Sequence, residues 1–228
     1  MVGDYFKDEI AIPFDLDFHI GLSEDQHYRC ADVSVERFDN LKPPFEFIKH
    51  IPSFFLPNDL KNFKSSIISK DYVQAFNGSL FDTYDANSTN WRKSQVPSAN
   101  GHGTASSLAK LFGILSTGCE RDNTKLFDIA TLKNATSVKS SGPDTVLFGA
   151  KINFGYCYML NINESSRVNI APSMKKNAFG HAGIGGSVAF GDMTKKLGYA
   201  FVCNRQHKPA ELYKTSNLLT EALYKIID

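Results

Sequence analysis

The chain has no closely spaced cysteine pair, no long basic block and no long apolar run. Its four cysteines, Cys30, Cys119, Cys157 and Cys203, are scattered over 228 residues. Without a C-x-x-C pair, neither a zinc ribbon nor a thioredoxin-type centre is expected. Cys157 and Cys203 fall within apolar, strand-like runs and read as small buried hydrophobes. Basic residues cluster no further than Lys175-Lys176 and Lys195-Lys196, and 25 basic residues balance 24 acidic ones. Binding to nucleic acid therefore has little electrostatic support and is not expected. No stretch approaches the roughly 20 apolar residues of a membrane-spanning helix. The first ten residues include acidic side chains and no apolar leader segment, so a cytoplasmic location is expected. The Asn-x-Ser/Thr triplets at Asn77, Asn87, Asn134 and Asn163 then read as chance matches. No G-x-G-x-x-G follows a strand and opens a helix, and no Walker pattern occurs. His19, His27, His50 and His207 lack ligand spacing. Neither a cofactor nor a metal is expected.

What is present is an ordinary globular composition, 42% apolar and 21% charged, able to bury a real core. Tyr5, Phe6 and Ile10 place a helix at the start, which Pro13 ends. Residues 14–22 alternate apolar and polar as a short strand does. Residues 33–55 are aromatic and proline-containing, and read as loop with short helical pieces. Residues 59–70 and 71–76 read as helices. A clearer helix follows Asn100, where Leu108, Leu111, Phe112 and Leu115 form one stripe and Gly118 stops it. Residues 126–132 are a weaker helix. From Thr145 the pattern changes to strands: 146–148, 152–160, 184–190 and 197–203. Residues 216–227 close with Leu218, Leu219, Ala222, Leu223 and Ile226 as the apolar face of a helix. Residues 1–144 are thus mainly helix and loop. Residues 145–228 form an antiparallel meander plus a C-terminal helix, an α+β arrangement.

The most informative stretch is Phe179-Gly180-His181-Ala182-Gly183-Ile184-Gly185-Gly186-Ser187-Val188-Ala189-Phe190, followed by Gly191-Asp192. It resembles the third active-site motif of the serine β-lactamase and penicillin-binding-protein superfamily. There a Lys-Thr-Gly or His-x-Gly triplet opens a strand, and a hairpin and last helix follow. The wording is similar to the class C-related branch, including animal β-lactamase-like proteins. Pro97-Ser98-Ala99-Asn100-Gly101-His102-Gly103-Thr104-Ala105 and Asp17-Phe18-His19-Ile20-Gly21-Leu22 resemble the same branch. The resemblance implies a β-lactamase/transpeptidase-like fold, here incomplete, with a remnant helical subdomain. It covers nearly the whole chain but only the later part of the family domain. It implies acyl transfer on a small-molecule ester, amide or lactam. His181 would take the triplet's first place, Gly183 would let the backbone approach substrate, and the Ile184 amide would be one oxyanion donor.

The family also uses Ser-x-x-Lys and Tyr-x-Asn. Tyr-x-Asn does not occur. Ser107-Leu108-Ala109-Lys110 has the first spacing, but Lys110 points away from the apolar stripe and is expected in water, protonated. Ser173-Met174-Lys175-Lys176 lies in a proline-led loop, and Thr136-Ser137-Val138-Lys139 is no better placed. Ser98-Ala99-Asn100 reads as turn or cap. Lys214-Thr215-Ser216 reads as helix entry with Ser216 as cap. His102 between two glycines has the setting of a cleft-lining residue, but a loop histidine is the preferred reading. Two functions follow: part of a serine hydrolase whose longer form is active, or a non-catalytic homologue used for binding or assembly. An exposed sheet edge and an uncovered face are expected to favour self-association.

Overall fold

The computed structural model describes residues 1–34, 45–69, 85–146, 151–160, 177–183, 185–206 and 213–228. The N-terminal helix α1 (Val2–Phe6) runs on into a π-helical turn over Lys7–Ala11. Ala11, Phe14 and Leu16 bury themselves against Ile114. The alternating stretch yields β1 (Phe18–Ile20), which pairs antiparallel with β2 (Gly101–Gly103). The glycines of β2 are required there, because a Cβ at either would strike the Phe18 ring. His102 is consequently a strand residue directly opposite His19, and the loop placement is corrected.

Between these strands lie α2 (Phe45–His50), a 3₁₀ turn at Ser53–Phe55, α3 (Asn58–Ile68) and α4 (Thr89–Lys93). The expected helix at 71–76 lies outside the described residues. Helix α5 (Ala105–Ser116) starts where Thr104 accepts a hydrogen bond from the Ser107 N–H at 3.1 Å, satisfying one orphan donor of the first turn. Gly118, at φ 120°, ends it as expected. A short hairpin of β3 (Glu120–Arg121) and β4 (Thr124–Lys125) leads to α6 (Ile129–Ala135), three residues later than the apolar pattern placed it.

The sheet contains β5 (Ser140–Pro143), β6 (Lys151–Phe154), β7 (Met159–Leu160), β8 (Ala178–Ala182), β9 (Val188–Asp192) and β10 (Leu197–Phe201). Their order is β10-β9-β8-β7-β6-β5, each pair antiparallel. Three expectations change. Thr145 and Val146 form a turn and the strand precedes them; 147–150 lie outside the described residues. The run at 152–160 breaks into a hairpin, because a Cβ at Gly155 would collide with the Ala135 carbonyl and Cys157 adopts φ 65°. Cys157 is thereby exposed rather than buried. The His181-Ala182-Gly183 triplet ends a strand instead of opening one.

Alternation along the strands gives the sheet two faces. Phe179 meets Leu115, Cys119, Leu132 and Leu160 on the face under α5. Ile152, Met159, Val188 and Phe190 meet Tyr224 on the face under α7 (Lys214–Ile227). Register pairs Gly191 with Gly198 on the α5 side, which lets that helix approach the backbone. Helix α7 begins at Lys214, so Ser216 is not its cap; it lies inside the first turn and donates to the Tyr213 carbonyl at 3.0 Å. Its apolar residues face the other way from the expectation: Ser216, Thr220 and Tyr224 are buried, while Leu218 is 59% and Ile226 82% exposed. Among the described residues, no helix is long and apolar enough to cross a membrane.

Candidate functional site

The end of β8 presents exposed chemistry. His181 and Gly183 are exposed. The His181 Nδ1 lies 2.9 Å from the Ala182 carbonyl; a carbonyl only accepts, so Nδ1 carries the proton of this bond and Nε2 is left toward solvent. Gly183 donates its N–H to the Ser187 carbonyl at 2.7 Å. Its own carbonyl accepts from the Gly186 N–H and from the Tyr213 hydroxyl, each at 3.0 Å. Ile184 lies outside the described residues.

The glycines around this turn have different reasons to be glycine. A Cβ at Gly180 would collide with the Ala189 carbonyl, and one at Gly185 would press on Gln206 at 2.9 Å. Gly186 has φ 105°. Gly183 differs from the other three: among the described residues, a Cβ there meets only the Ser187 oxygen, at 3.8 Å. The turn is backed by Cys203, whose N–H donates to the Ser187 Oγ at 3.2 Å and whose Sγ reaches the Gly185 carbonyl at 3.4 Å. Cys203 is accordingly half-buried beside the turn, not a core hydrophobe. Ser34, bridged to Arg205, adds a short parallel contact next to Gln206.

The Ser-x-x-Lys spacings within the described residues are structural. The Ser107 Oγ accepts from the Asp17 N–H at 2.9 Å and from the Thr104 hydroxyl at 3.0 Å. Lys110 is not free in water; its Nζ pairs with the Asp15 carboxylate at 3.0 Å and donates to the Asp15 carbonyl at 2.9 Å. Thr136 donates to the Leu132 carbonyl, and Lys139 to the Asn134 side-chain oxygen, at 2.9 Å each. Ser173 to Lys176 lie outside the described residues. Asn100 holds a turn: its amide donates to the Trp91 carbonyl at 2.8 Å and its oxygen accepts from the Val96 N–H at 2.9 Å.

A second polar group lies around β1 and β2. The Asp17 carboxylate meets Arg29 and His19, and the Arg29 guanidinium holds its carboxyl below the usual range. Burial keeps the half-buried His102 imidazole below its ordinary value, with Arg92, His27 and His19 adding like charge. Among the described residues, no group of three or more His, Cys, Asp or Glu side chains is arranged to hold a metal. At the Asn87 triplet, the side chain binds the Val33 backbone twice, donating at 3.0 Å and accepting at 2.7 Å. Tyr213 was not singled out by sequence pattern, because a backbone at φ 61° on a non-glycine residue leaves no periodic signal.

A family described as Beta-lactamase matches residues 2–223. The "Esterase/beta-lactamase LipL" of Mycobacterium tuberculosis is 23% identical over 215 residues, 90% of this chain and 43% of that protein. A penicillin-binding-protein homologue from Caulobacter crescentus superposes with a TM-score of 0.67 and 30% identity, over 90% of this chain and 47% of that one. EstA from Arthrobacter nitroguajacolicus shares the fold, with a TM-score of 0.65 and 20% identity over 98% of this chain and 55% of its own. The chain thus spans about half the length of the relatives it matches.

Proposed function

The chain belongs to the beta-lactamase family, and on that premise we propose that the end of its strand β8 forms one wall of a serine-hydrolase cleft. The substrate class is a small-molecule ester, amide or lactam. His181 lines the cleft, Gly183 lets the backbone approach the carbonyl, and the Ile184 amide supplies one oxyanion donor. The observation that carries this reading is the glycine at 183: it is exposed, and among the described residues nothing forbids a side chain there. A constraint from outside, a bound substrate, accounts for it. Ser107 and Lys110, the described pair with Ser-x-x-Lys spacing, are held by Asp17 and Asp15, so the nucleophile of this proposal is a different residue. The wording around His181 and Asp17 supports the class C-related, animal β-lactamase-like branch.

A second reading, a non-catalytic homologue kept for binding or assembly, is favoured by those same structural bonds. One experiment separates the two. A fluorophosphonate probe should label no serine of the 228-residue chain. A longer form carrying Ser-x-x-Lys and Tyr-x-Asn should hydrolyse a chromogenic ester, and His181→Ala should reduce its turnover while leaving the fold intact. Normal turnover by that variant removes His181 from the site; no turnover by any longer form favours the non-catalytic reading. Self-association belongs to the same proposal. It is supported by the outward leucines of α7 and by β10, which ends the sheet order and carries no charge or proline along Leu197–Phe201.

A further inference from the structure

Tyr213 combines burial, an unfavourable backbone and a long-range bond to the candidate site. It precedes α7 with φ 61° and ψ 0°, a left-handed conformation that is uncommon for a bulky residue and persists only when its surroundings enforce it. The enforcing contacts are visible. The Asn217 N–H and the Ser216 hydroxyl donate to the Tyr213 carbonyl at 2.8 and 3.0 Å. The ring is 4% exposed and packs in the cluster that holds Val188, Phe190 and Tyr224. The backbone conformation therefore aims the side chain across the core, and its hydroxyl reaches the Gly183 carbonyl at 3.0 Å, thirty residues away in sequence. Burial pushes the phenol well above its ordinary value, which favours the protonated, donating hydroxyl.

We infer that Tyr213 is a positioning residue for the substrate-facing turn, acting through the Gly183 carbonyl. The physical link is the backbone of Gly183, the residue read as facing substrate. Its N–H is held by the Ser187 carbonyl at 2.7 Å, and the Tyr213 hydroxyl holds its carbonyl at 3.0 Å. A hydroxyl that holds the carbonyl from the protein interior thus sets where the Gly183 backbone meets substrate. The Gly186 N–H holds the same oxygen from within the turn, but it moves with the turn. Tyr213 ties the turn to the core of the sheet and to α7. Strain at φ 61° is tolerated because it places this one hydroxyl. The inference rests on the reading of His181 and Gly183 as substrate-facing.

The test uses Tyr213→Phe, which keeps the ring and removes the hydroxyl, and Tyr224→Phe as a control that removes another buried hydroxyl from the same cluster. The probe is the p-nitrophenyl methylphosphonate anion, a stable tetrahedral mimic with a negatively charged oxygen. It is titrated into the 228-residue chain with ¹³C-labelled glycine and ¹⁵N-labelled histidine. The wild type should bind with shifts at Gly183 and His181. Tyr213→Phe should move the free-state Gly183 carbonyl resonance, speed amide exchange at Gly186 and weaken probe affinity about tenfold. Tyr224→Phe should leave affinity within about twofold of wild type, although it lowers stability. Wild-type binding matched by equally tight binding of Tyr213→Phe overturns the positioning role alone. A wild type that binds nothing, or binds without moving His181 and Gly183, overturns the site itself.

Discussion

The two helices that cover the sheet meet it by opposite means. Helix α5 lies against bare backbone: Gly191 and Gly198 sit side by side beneath it, and its apolar stripe enters the cluster around Phe179. Helix α7 stands on side chains. Tyr224 stacks on Phe190 with centroids 6.4 Å apart and donates its hydroxyl to the buried Asp192 carboxylate at 2.6 Å. Ser216 and Thr220 bury beside it, four residues apart on one face. The difference teaches that an apolar stripe need not be the buried face of a helix where an otherwise apolar surface carries a buried carboxylate. A sheet face that contains Asp192 selects the tyrosine and hydroxyl stripe instead.

If α5 depends on glycine-close contact, Gly198→Val is the most damaging change to that face. Any Cβ at position 198 falls on the Ala109 carbonyl and the Gly113 amide. Both are backbone, so no flexible side chain can yield, and the helix must lift from the sheet. A loss of about 3 kcal/mol or more is expected, read as the urea midpoint of the variant against wild type. A midpoint within the error of wild type would break the account of how α5 packs.

The matching test on the other face is Tyr224→Phe. It keeps the stacked ring and leaves the Asp192 Oδ2 without its buried donor, while the Oδ1 still accepts from the Thr194 and Lys195 N–H groups at 2.9 and 3.0 Å. Hydrogen bonds to charged groups contribute about 1.5–3 kcal/mol, so a loss in that range is expected from the same urea titration. A neutral result would mean that ring stacking alone seats α7.

Gly113→Ala sharpens the first face from its other side. A Cβ at 113 meets only Gly198, at 3.9 Å, which is ordinary contact. The methyl group should therefore fit, and exchanging a mid-helix glycine for alanine should raise stability by about 0.5–1 kcal/mol. Destabilisation would show that the two glycines are closer in solution than 3.9 Å allows.

These faces also show what was legible in the sequence. The stripe of α5, its Gly118 stop, the strand beside residue 18 and the strands at 188–192 and 197–201 follow from local periodicity and turn chemistry. The split at Gly155 does not, because it depends on the Ala135 carbonyl from a distant helix. Nor does the orientation of α7, which depends on a carboxylate twenty-two residues before the helix begins. At the candidate site, the triplet at His181 was visible as a pattern, but its place at a strand's end was not. Ile184 lies outside the described residues, so its amide remains a proposal. Tyr213 was invisible, since its part rests on backbone angle and a bond across thirty residues. Ser107 and Lys110 had the right spacing, and only their partners, Asp17 and Asp15, reveal their structural role.

The smallest effect on folding is expected on the outer side of α7, where the comparison is most easily broken. Leu218 and Leu219 are 59% and 49% exposed. In the double variant Leu218→Glu, Leu219→Glu, the new carboxylates enter water, and substitutions at such positions change stability by no more than about 0.5 kcal/mol. Association should respond far more. Outward leucines lose apolar contact with water when two copies meet, and a charge at each place opposes that burial. Light scattering over rising concentration should show wild type growing in mean mass while the double variant stays monomeric. Destabilisation of about 2 kcal/mol or more would mean that these leucines are buried against their own chain, and that α7 is seated by its apolar stripe after all. Equal masses at every concentration would leave α7 oriented as described and remove self-association through this face.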